Sequence, residues 1–95
     1  MLKVGIIGIG LMGYAMCNRL LDAGFPLIVF NRNATKCQPL VEKGAKQAIS
    51  IVDIVSHSDV IMLCVSNTDS VHEVVKQLQP HLKQGQIIVD FSSIS

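Results

Sequence analysis

The chain has 95 residues, of which 49% are hydrophobic and 16% are charged, and its formal net charge is +1. This length allows one domain, and the composition excludes a disordered or fibrous chain. The eight lysines and arginines are scattered, so nucleic-acid binding and membrane-surface binding have no electrostatic support. No apolar run approaches the ~20 residues that span a bilayer. The three cysteines form no CxxC pair, which favours a reduced, cytoplasmic setting.

The hydrophobic pattern alternates between β-rich and helical stretches along the chain. It predicts strands at residues 2–7, 27–30, 45–48, 60–65 and 86–91, and helices at residues 13–23, 34–43 and 70–82. Continuous Val, Ile and Leu runs are typical of parallel strands that helices cover on both faces. Right-handed crossovers then predict an α/β fold, a doubly wound parallel sheet of the Rossmann type. Ligands of such sheets bind at the carboxyl ends of the strands.

A glycine-rich loop joins the first predicted strand to the first predicted helix. Its spacing is Gly8-x-Gly10-x-x-Gly13, in the strand and helix context that a dinucleotide-binding loop requires. The loop is predicted to hold a pyrophosphate against the helix N-terminus, where backbone N–H groups and the helix dipole favour an anion. The predicted cofactor-binding residues here are Gly8, Ile9, Gly10, Leu11, Met12 and Gly13. The alternative is a glycine turn that only connects the two elements.

The end of the second predicted strand bears on the choice between NAD and NADP. An NAD site commonly has an Asp or Glu at this point for the ribose 2′-OH. This chain has Asn31 and Arg32 instead, and Lys36 follows one helical turn later. An Arg fork and a Lys charge suit a 2′-phosphate. We therefore predict NADP as the cofactor, with NAD as the alternative, in which case Arg32 and Lys36 are solvated turn charges.

Three segments carry a resemblance to a known family. Residues 6–16 (IIGIGLMGYAM) resemble the signature of the β-hydroxyacid dehydrogenases, which include 3-hydroxyisobutyrate dehydrogenase, tartronate semialdehyde reductase and glyoxylate or succinic semialdehyde reductase. Residues 59–66 (DVIMLCVS) and 90–95 (DFSSIS) fit the same family, so the resemblance covers the whole chain. It implies the NAD(P)-binding domain of an oxidoreductase whose partner is a small hydroxy acid or semialdehyde.

The resemblance also assigns residues near the later strands. Cys64 and Val65 match backbone positions that contact the cofactor, and Asp69 matches inexactly a cofactor-binding Asn. Ser92 and Ser93 match a pair that lies between nicotinamide and substrate in relatives, so both are candidate substrate-binding residues and Ser93 is also a cofactor candidate. The alternative for either serine is to cap a helix that follows.

The predicted catalytic residue lies outside these 95 residues. In the family a catalytic Lys lies in a second domain beyond the serine segment, whereas this chain stops at Ser95, and Lys76 and Lys83 are expected to be solvated. The resemblance therefore implies that residues 1–95 are a fragment, inactive alone, in which the Rossmann domain is truncated before its end. The full enzyme is expected to be homo-oligomeric, with a helical substrate-binding and dimerisation domain. The alternative is a non-catalytic dinucleotide-binding module, a sensor or an assembly domain.

Two smaller clusters are tempting as sites. His57 is adjacent to Ser58 and Asp59, but consecutive side chains point in different directions and cannot form a catalytic triad. We expect His57 to be a surface group at a helix end. Asp69 and His72 would supply only two ligands, so no metal site is predicted.

Overall fold

Five parallel strands form one sheet in a computed structural model of the chain, which describes residues 1–65 and 68–91. The strands are β1 (Val4–Ile7), β2 (Leu27–Phe30), β3 (Lys46–Gln47), β4 (Val60–Leu63) and β5 (Ile87–Asp90). The α-helices are α1 (Leu11–Asp22), α2 (Gln38–Glu42), α3 (Ile51–Ser56) and α4 (Thr68–Leu78), and 3₁₀ helices occupy Ala34–Cys37 and Gln79–His81. The strand order β3-β2-β1-β4-β5 confirms the predicted doubly wound Rossmann fold.

The core lies on both faces of this sheet, as the uninterrupted apolar runs predict. On one face Ile6 and Val29 belong to a buried cluster with Cys17 of α1 and Leu40 of α2. A second buried cluster on the other face joins residues of β1, β2 and β4 to α3 and α4: Ile7, Ile28, Ile61, Ile54 and Leu78. Because β1 pairs with both β2 and β4, its carboxyl end lies at the point where the winding of the chain reverses.

Helix α3 is an element that the sequence analysis did not predict. The Ser50 hydroxyl accepts a hydrogen bond from the Asp53 N–H at 3.2 Å, and the Asp53 carboxylate accepts one from the Ile49 N–H at 3.0 Å. This reciprocal capping fixes the start of the helix. Three of its six residues, Ile51, Ile54 and Val55, are buried. The Ser-x-x-Asp spacing was the signal that could have revealed it.

Two helices that were predicted from the sequence are each divided in the structure. The helix predicted over residues 34–43 is a 3₁₀ helix followed by the short α2, with Pro39 in the first turn of α2. The helix predicted over residues 70–82 is α4 followed by a 3₁₀ turn that contains Pro80. Proline lacks the N–H that a continuous helix needs, which accounts for the second break. Among the described residues, no helix combines the length and the hydropathy needed to cross a membrane.

Candidate dinucleotide-binding site

The glycine loop is packed so closely that two of its positions exclude a side chain. Gly8 has φ +102°, and a Cβ atom built there would lie 2.5 Å from the Cys64 carbonyl oxygen. A Cβ atom at Gly13 would lie 2.1 Å from the Gly8 carbonyl oxygen. Both distances are below any ordinary contact, so α1 approaches β1 and the end of β4 only because these residues are glycines.

Gly10 is different, because it faces open space. It is the N-cap of α1, and a Cβ atom built on it would have no heavy atom within 4 Å. The backbone N–H groups in the first turn of an α-helix have no acceptor within the helix, and they attract an anion. The first turn of α1 contains no acidic residue that would repel one. The residues present therefore fit a pyrophosphate above Gly10.

Asn31 connects the glycine loop to the end of β2. Its side-chain oxygen accepts a hydrogen bond from the Ile9 N–H at 2.8 Å, and its amide nitrogen donates to the Asn33 carbonyl at 3.0 Å. Asn33 in turn caps the 3₁₀ helix by accepting from the N–H of Thr35 at 3.2 Å and from its hydroxyl at 2.6 Å. This helix carries Lys36. A chain of hydrogen bonds therefore links the loop to the segment that carries the predicted phosphate-binding cations.

A cavity of about 420 Å³ at the carboxyl ends of the strands brings most of the predicted cofactor-binding residues together. This volume lies in the range of small-molecule sites. The cavity is lined by eight of the residues predicted to bind the cofactor: Gly8, Ile9, Gly10, Asn31, Arg32, Lys36, Cys64 and Val65. The glycine loop and the cations after β2 thus share one continuous space.

The remaining predicted residues lie elsewhere or outside the described part of the chain. Leu11 and Met12 are 95% and 47% exposed at the start of α1, and neither lines the cavity. Gly13 is buried beneath the loop. Asp69 is exposed in the first turn of α4 and does not line the cavity either. Ser92 and Ser93 lie outside the described residues.

One wall of the cavity consists of residues that the sequence analysis did not select. Ile51 of α3 and four residues of α4 line it: Ser70, Glu73, Val74 and Gln77. The α4 residues follow the spacing i, i+3, i+4 and i+7, so they occupy one face of the helix. That periodicity, in a helix that directly follows a strand of the binding edge, was the available signal.

The cysteines near the loop are not activated thiols. The pKa of Cys17 is raised from 9.0 to about 12, chiefly by burial and to a smaller extent by Cys64 and Cys37. Burial is also the main cause that raises the pKa of Cys64, with Asp90 as a second cause. Because only the thiolate is a strong nucleophile, these residues have packing roles at neutral pH.

The predictions for His57 and for the lysines agree with the structure. His57 is the C-cap residue of α3, and its Nδ1 lies 3.0 Å from a carboxylate oxygen of Asp53, four residues earlier. Asp59 accepts a hydrogen bond from the Lys3 N–H at 2.8 Å. Lys76 and Lys83 are exposed, as predicted.

A family model for the NAD-binding domain of 6-phosphogluconate dehydrogenase matches residues 3–95. The chain belongs to this family. Similarity to 3-hydroxyisobutyrate dehydrogenases confirms the predicted membership in the β-hydroxyacid dehydrogenase family as well. It is 37% identical to a probable 3-hydroxyisobutyrate dehydrogenase-like protein, mitochondrial, from Arabidopsis thaliana, over 96% of this chain and 28% of the relative.

Two further relatives differ in what their names describe. The imine reductase from Myxococcus stipitatus in complex with NADP+ has a TM-score of 0.90 and 30% identity, over 96% of this chain and 32% of that chain. The cytokine-like nuclear factor N-PAC from Homo sapiens is 30% identical over 97% of this chain and 17% of its own length. The chain thus spans a third or less of the length of these relatives. The part that it spans is the NAD(P)-binding domain.

Proposed function

We propose that this chain is the cofactor-binding domain of an NADP(H)-preferring oxidoreductase that acts on small β-hydroxy acids or semialdehydes. The observation that carries the proposal is that one cavity is lined by Gly8 and Gly10 as well as by Arg32 and Lys36. One dinucleotide could place its pyrophosphate at the start of α1 and a 2′-phosphate at the two cations. When bound, the nicotinamide supplies the hydride carrier, and the residues of this chain bind and orient it.

The preference for NADP rests on the charges at the end of β2. The Asn31 side chain makes hydrogen bonds with Ile9 and Asn33, and the charged side chains at this tip, Arg32 and Lys36, are both cationic. Arg32 and Lys36 are exposed and line the cavity. A guanidinium fork and an ammonium group favour a dianionic 2′-phosphate over a neutral hydroxyl. The NADP+ in the imine reductase structure agrees with this preference.

Calorimetric titration with NADPH, NADH and 2′-phospho-AMP tests the cofactor assignment. We expect NADPH to bind about tenfold or more tightly than NADH, since a charge-assisted hydrogen bond contributes roughly 1.5–3 kcal/mol. Arg32→Ala should remove most of this difference. Arg19→Ala is the matched control, because Arg19 is exposed on α1 and does not line the cavity. Equal affinities for NADPH and NADH, unchanged by Arg32→Ala, would refute the phosphate site.

The substrate class has a second candidate, because one relative is an imine reductase. Reduction of a C=N bond uses the same hydride carrier as reduction of a C=O bond. The full-length protein should be assayed for NADPH oxidation with semialdehydes, glyoxylate and a cyclic imine. Turnover of a carboxylated carbonyl that falls on replacement of Ser92 or Ser93 supports the hydroxy-acid proposal and the substrate-binding role of these serines. Turnover of the imine alone supports the second candidate.

A non-catalytic dinucleotide-binding module is the alternative from a different class, and the likeness to a nuclear factor favours it. The two proposals differ in one measurement. An oxidoreductase oxidises NADPH when a substrate is added, whereas a binding module binds the cofactor without turnover of any carbonyl or imine. The homo-oligomeric state and the cytoplasmic setting stay predictions, and the plant relative is named as mitochondrial.

A further inference from the structure

The face of α4 that lines the cavity has a chemistry of its own. Val74 and Ile51 are buried, 6% and 7% exposed, and they form an apolar base to this wall. Glu73 and Gln77 are exposed and line the same cavity as Arg32. The wall therefore combines an apolar surface with a carboxylate and an amide, opposite in character to the cationic end of β2.

The covalent structure of a dinucleotide determines which of its parts could meet this wall. In NADP the adenine base and the 2′-phosphate are attached to the same ribose. If that phosphate lies at Arg32, the base must lie within the width of one ribose from it. The cavity wall formed by α3 and α4 contains none of the residues proposed for the pyrophosphate or the 2′-phosphate, so it is available to the base. This step rests on the proposed function.

The Glu73 carboxylate is oriented by its neighbour on the helix. The Gln77 side-chain nitrogen donates to Glu73 Oε1 at 3.1 Å, over a spacing of four residues. A carboxylate has two oxygens and can accept several hydrogen bonds, so this contact leaves acceptor capacity for a ligand. The carboxylate cannot donate, and it attracts an amino group while it repels a carbonyl oxygen.

We propose that Glu73, held by Gln77, accepts a hydrogen bond from the 6-amino group of adenine and so selects a 6-aminopurine over a 6-oxopurine. Val74 and Ile51 provide the apolar surface for the ring of the base. A site that hydrogen-bonds a ligand amino group rejects the analogue that lacks it, because its own polar group is left unpaired. Glu73 is thus a specificity-determining residue in this proposal.

The test compares adenine and hypoxanthine dinucleotides on the 95-residue chain by calorimetric titration. The ligands are NADPH and NADH, and the matching nicotinamide hypoxanthine dinucleotides with and without the 2′-phosphate. We expect the chain to bind the adenine form about tenfold more tightly in each pair. Glu73→Gln should bring this ratio close to one, because its amide can donate to the 6-oxo group. Glu42→Gln is the matched control, since Glu42 is exposed on α2 and outside the cavity lining.

The outcomes separate this inference from the proposed function. A chain that binds none of the four ligands contradicts the proposed function. A chain that binds adenine and hypoxanthine forms equally contradicts the role of Glu73 and leaves the cofactor assignment standing. Glu73→Gln could also raise the affinity for the adenine and hypoxanthine forms by the same factor. That result would reflect only the loss of a negative charge near the phosphates, and it would overturn the proposal. The control variant should leave the ratio of the two affinities at the parent value.

Discussion

The glycine loop and the α4 wall line the same cavity, but they are built on different principles. In the loop, the shape of the backbone is the functional feature: Gly8 and Gly13 sit where any side chain would collide with a carbonyl oxygen. On the wall, exposed side chains such as Glu73 and Gln77 project from a regular helix. Side chains are therefore excluded at Gly8 and Gly13 of the loop, whereas the exposed residues of the wall can be replaced without a change in the fold. Substitutions in the two regions should separate stability from recognition.

The largest expected effect belongs to Gly13→Ala. The new methyl group would lie 2.1 Å from the Gly8 carbonyl oxygen, so α1 must move away from the loop. We expect a loss of about 3 kcal/mol in the free energy of unfolding, at the upper end for an overpacked site. Urea unfolding followed by circular dichroism measures it. A loss below about 0.5 kcal/mol would mean that the loop does not constrain the helix.

Gly10→Ala is the matched substitution within the same loop, and it should affect binding more than folding. A Cβ atom here meets nothing within 4 Å, and φ is −86°, which alanine adopts readily. We expect the free energy of unfolding to fall by about 1 kcal/mol at most, the cost of a poorer N-cap. The methyl group occupies the space proposed for the pyrophosphate, so NADPH affinity should fall by about tenfold or more. Parent-like affinity in calorimetric titration would remove the pyrophosphate from this position.

Asn31→Ala tests whether the end of β2 positions the loop. The substitution removes the acceptor of the Ile9 N–H, which is a part-buried hydrogen bond of 2.8 Å. We expect NADPH and NADH affinities to fall by the same factor, about tenfold, since both ligands contain the pyrophosphate. A direct contact of Asn31 with a 2′-phosphate would instead weaken NADPH alone. The ratio of the two affinities therefore distinguishes a role of Asn31 in positioning the glycine loop from a role at the 2′-phosphate site.

The burial of Cys17 on α1 should make the free energy of unfolding depend on pH. Its pKa in the folded chain is raised to about 12 from 9.0, so the folded state favours the protonated thiol. The unfolded chain releases this proton first as pH rises, and stability is therefore full below pH 9 and lost between about pH 9 and pH 12. The loss approaches about 1.4 kcal/mol for each pH unit in this window.

Cys17→Ala isolates this effect from the titration of other groups at high pH. Urea unfolding of the parent and of the variant is compared at pH 8 and at pH 10. The variant should lose less stability between these two values than the parent does. Equal losses in the two proteins would show that the Cys17 thiol ionises as readily in the folded chain as in the unfolded one.

The sheet and the glycine loop were predictable from sequence because each depends on a local pattern. Unbroken apolar runs such as Val4–Ile7 indicate strands covered on both faces, and the spacing of Gly8, Gly10 and Gly13 follows directly from the geometry of the turn. Arg32 and Lys36 were selected for the same reason, since they follow a strand that was predicted correctly. Both cations line the cavity.

The α4 wall was not predictable in the same way, because it depends on tertiary placement. Glu73 is one of several polar residues on α4, and only the packing of Val74 and Leu78 against the sheet turns it toward the cavity. Helix α3 was missed because its six residues are too few for a helical period to stand out, although its capping residues were visible. Asn31 was predicted to bind the cofactor and it lines the cavity, but its hydrogen bond with Ile9, 22 residues earlier, depends on tertiary placement and was not predicted.

The smallest expected effect is that of Gln77→Ala on the wall, and it completes the comparison with the loop. The hydrogen bond from Gln77 to Glu73 is exposed and joins two side chains of one helix. Such pairs contribute roughly 0.2–0.5 kcal/mol, and alanine regains a similar amount through its higher helix propensity. We therefore expect the free energy of unfolding to change by less than about 0.5 kcal/mol. A loss above about 1 kcal/mol in urea unfolding would show that the wall is structural, and the contrast with Gly13 would then be one of degree.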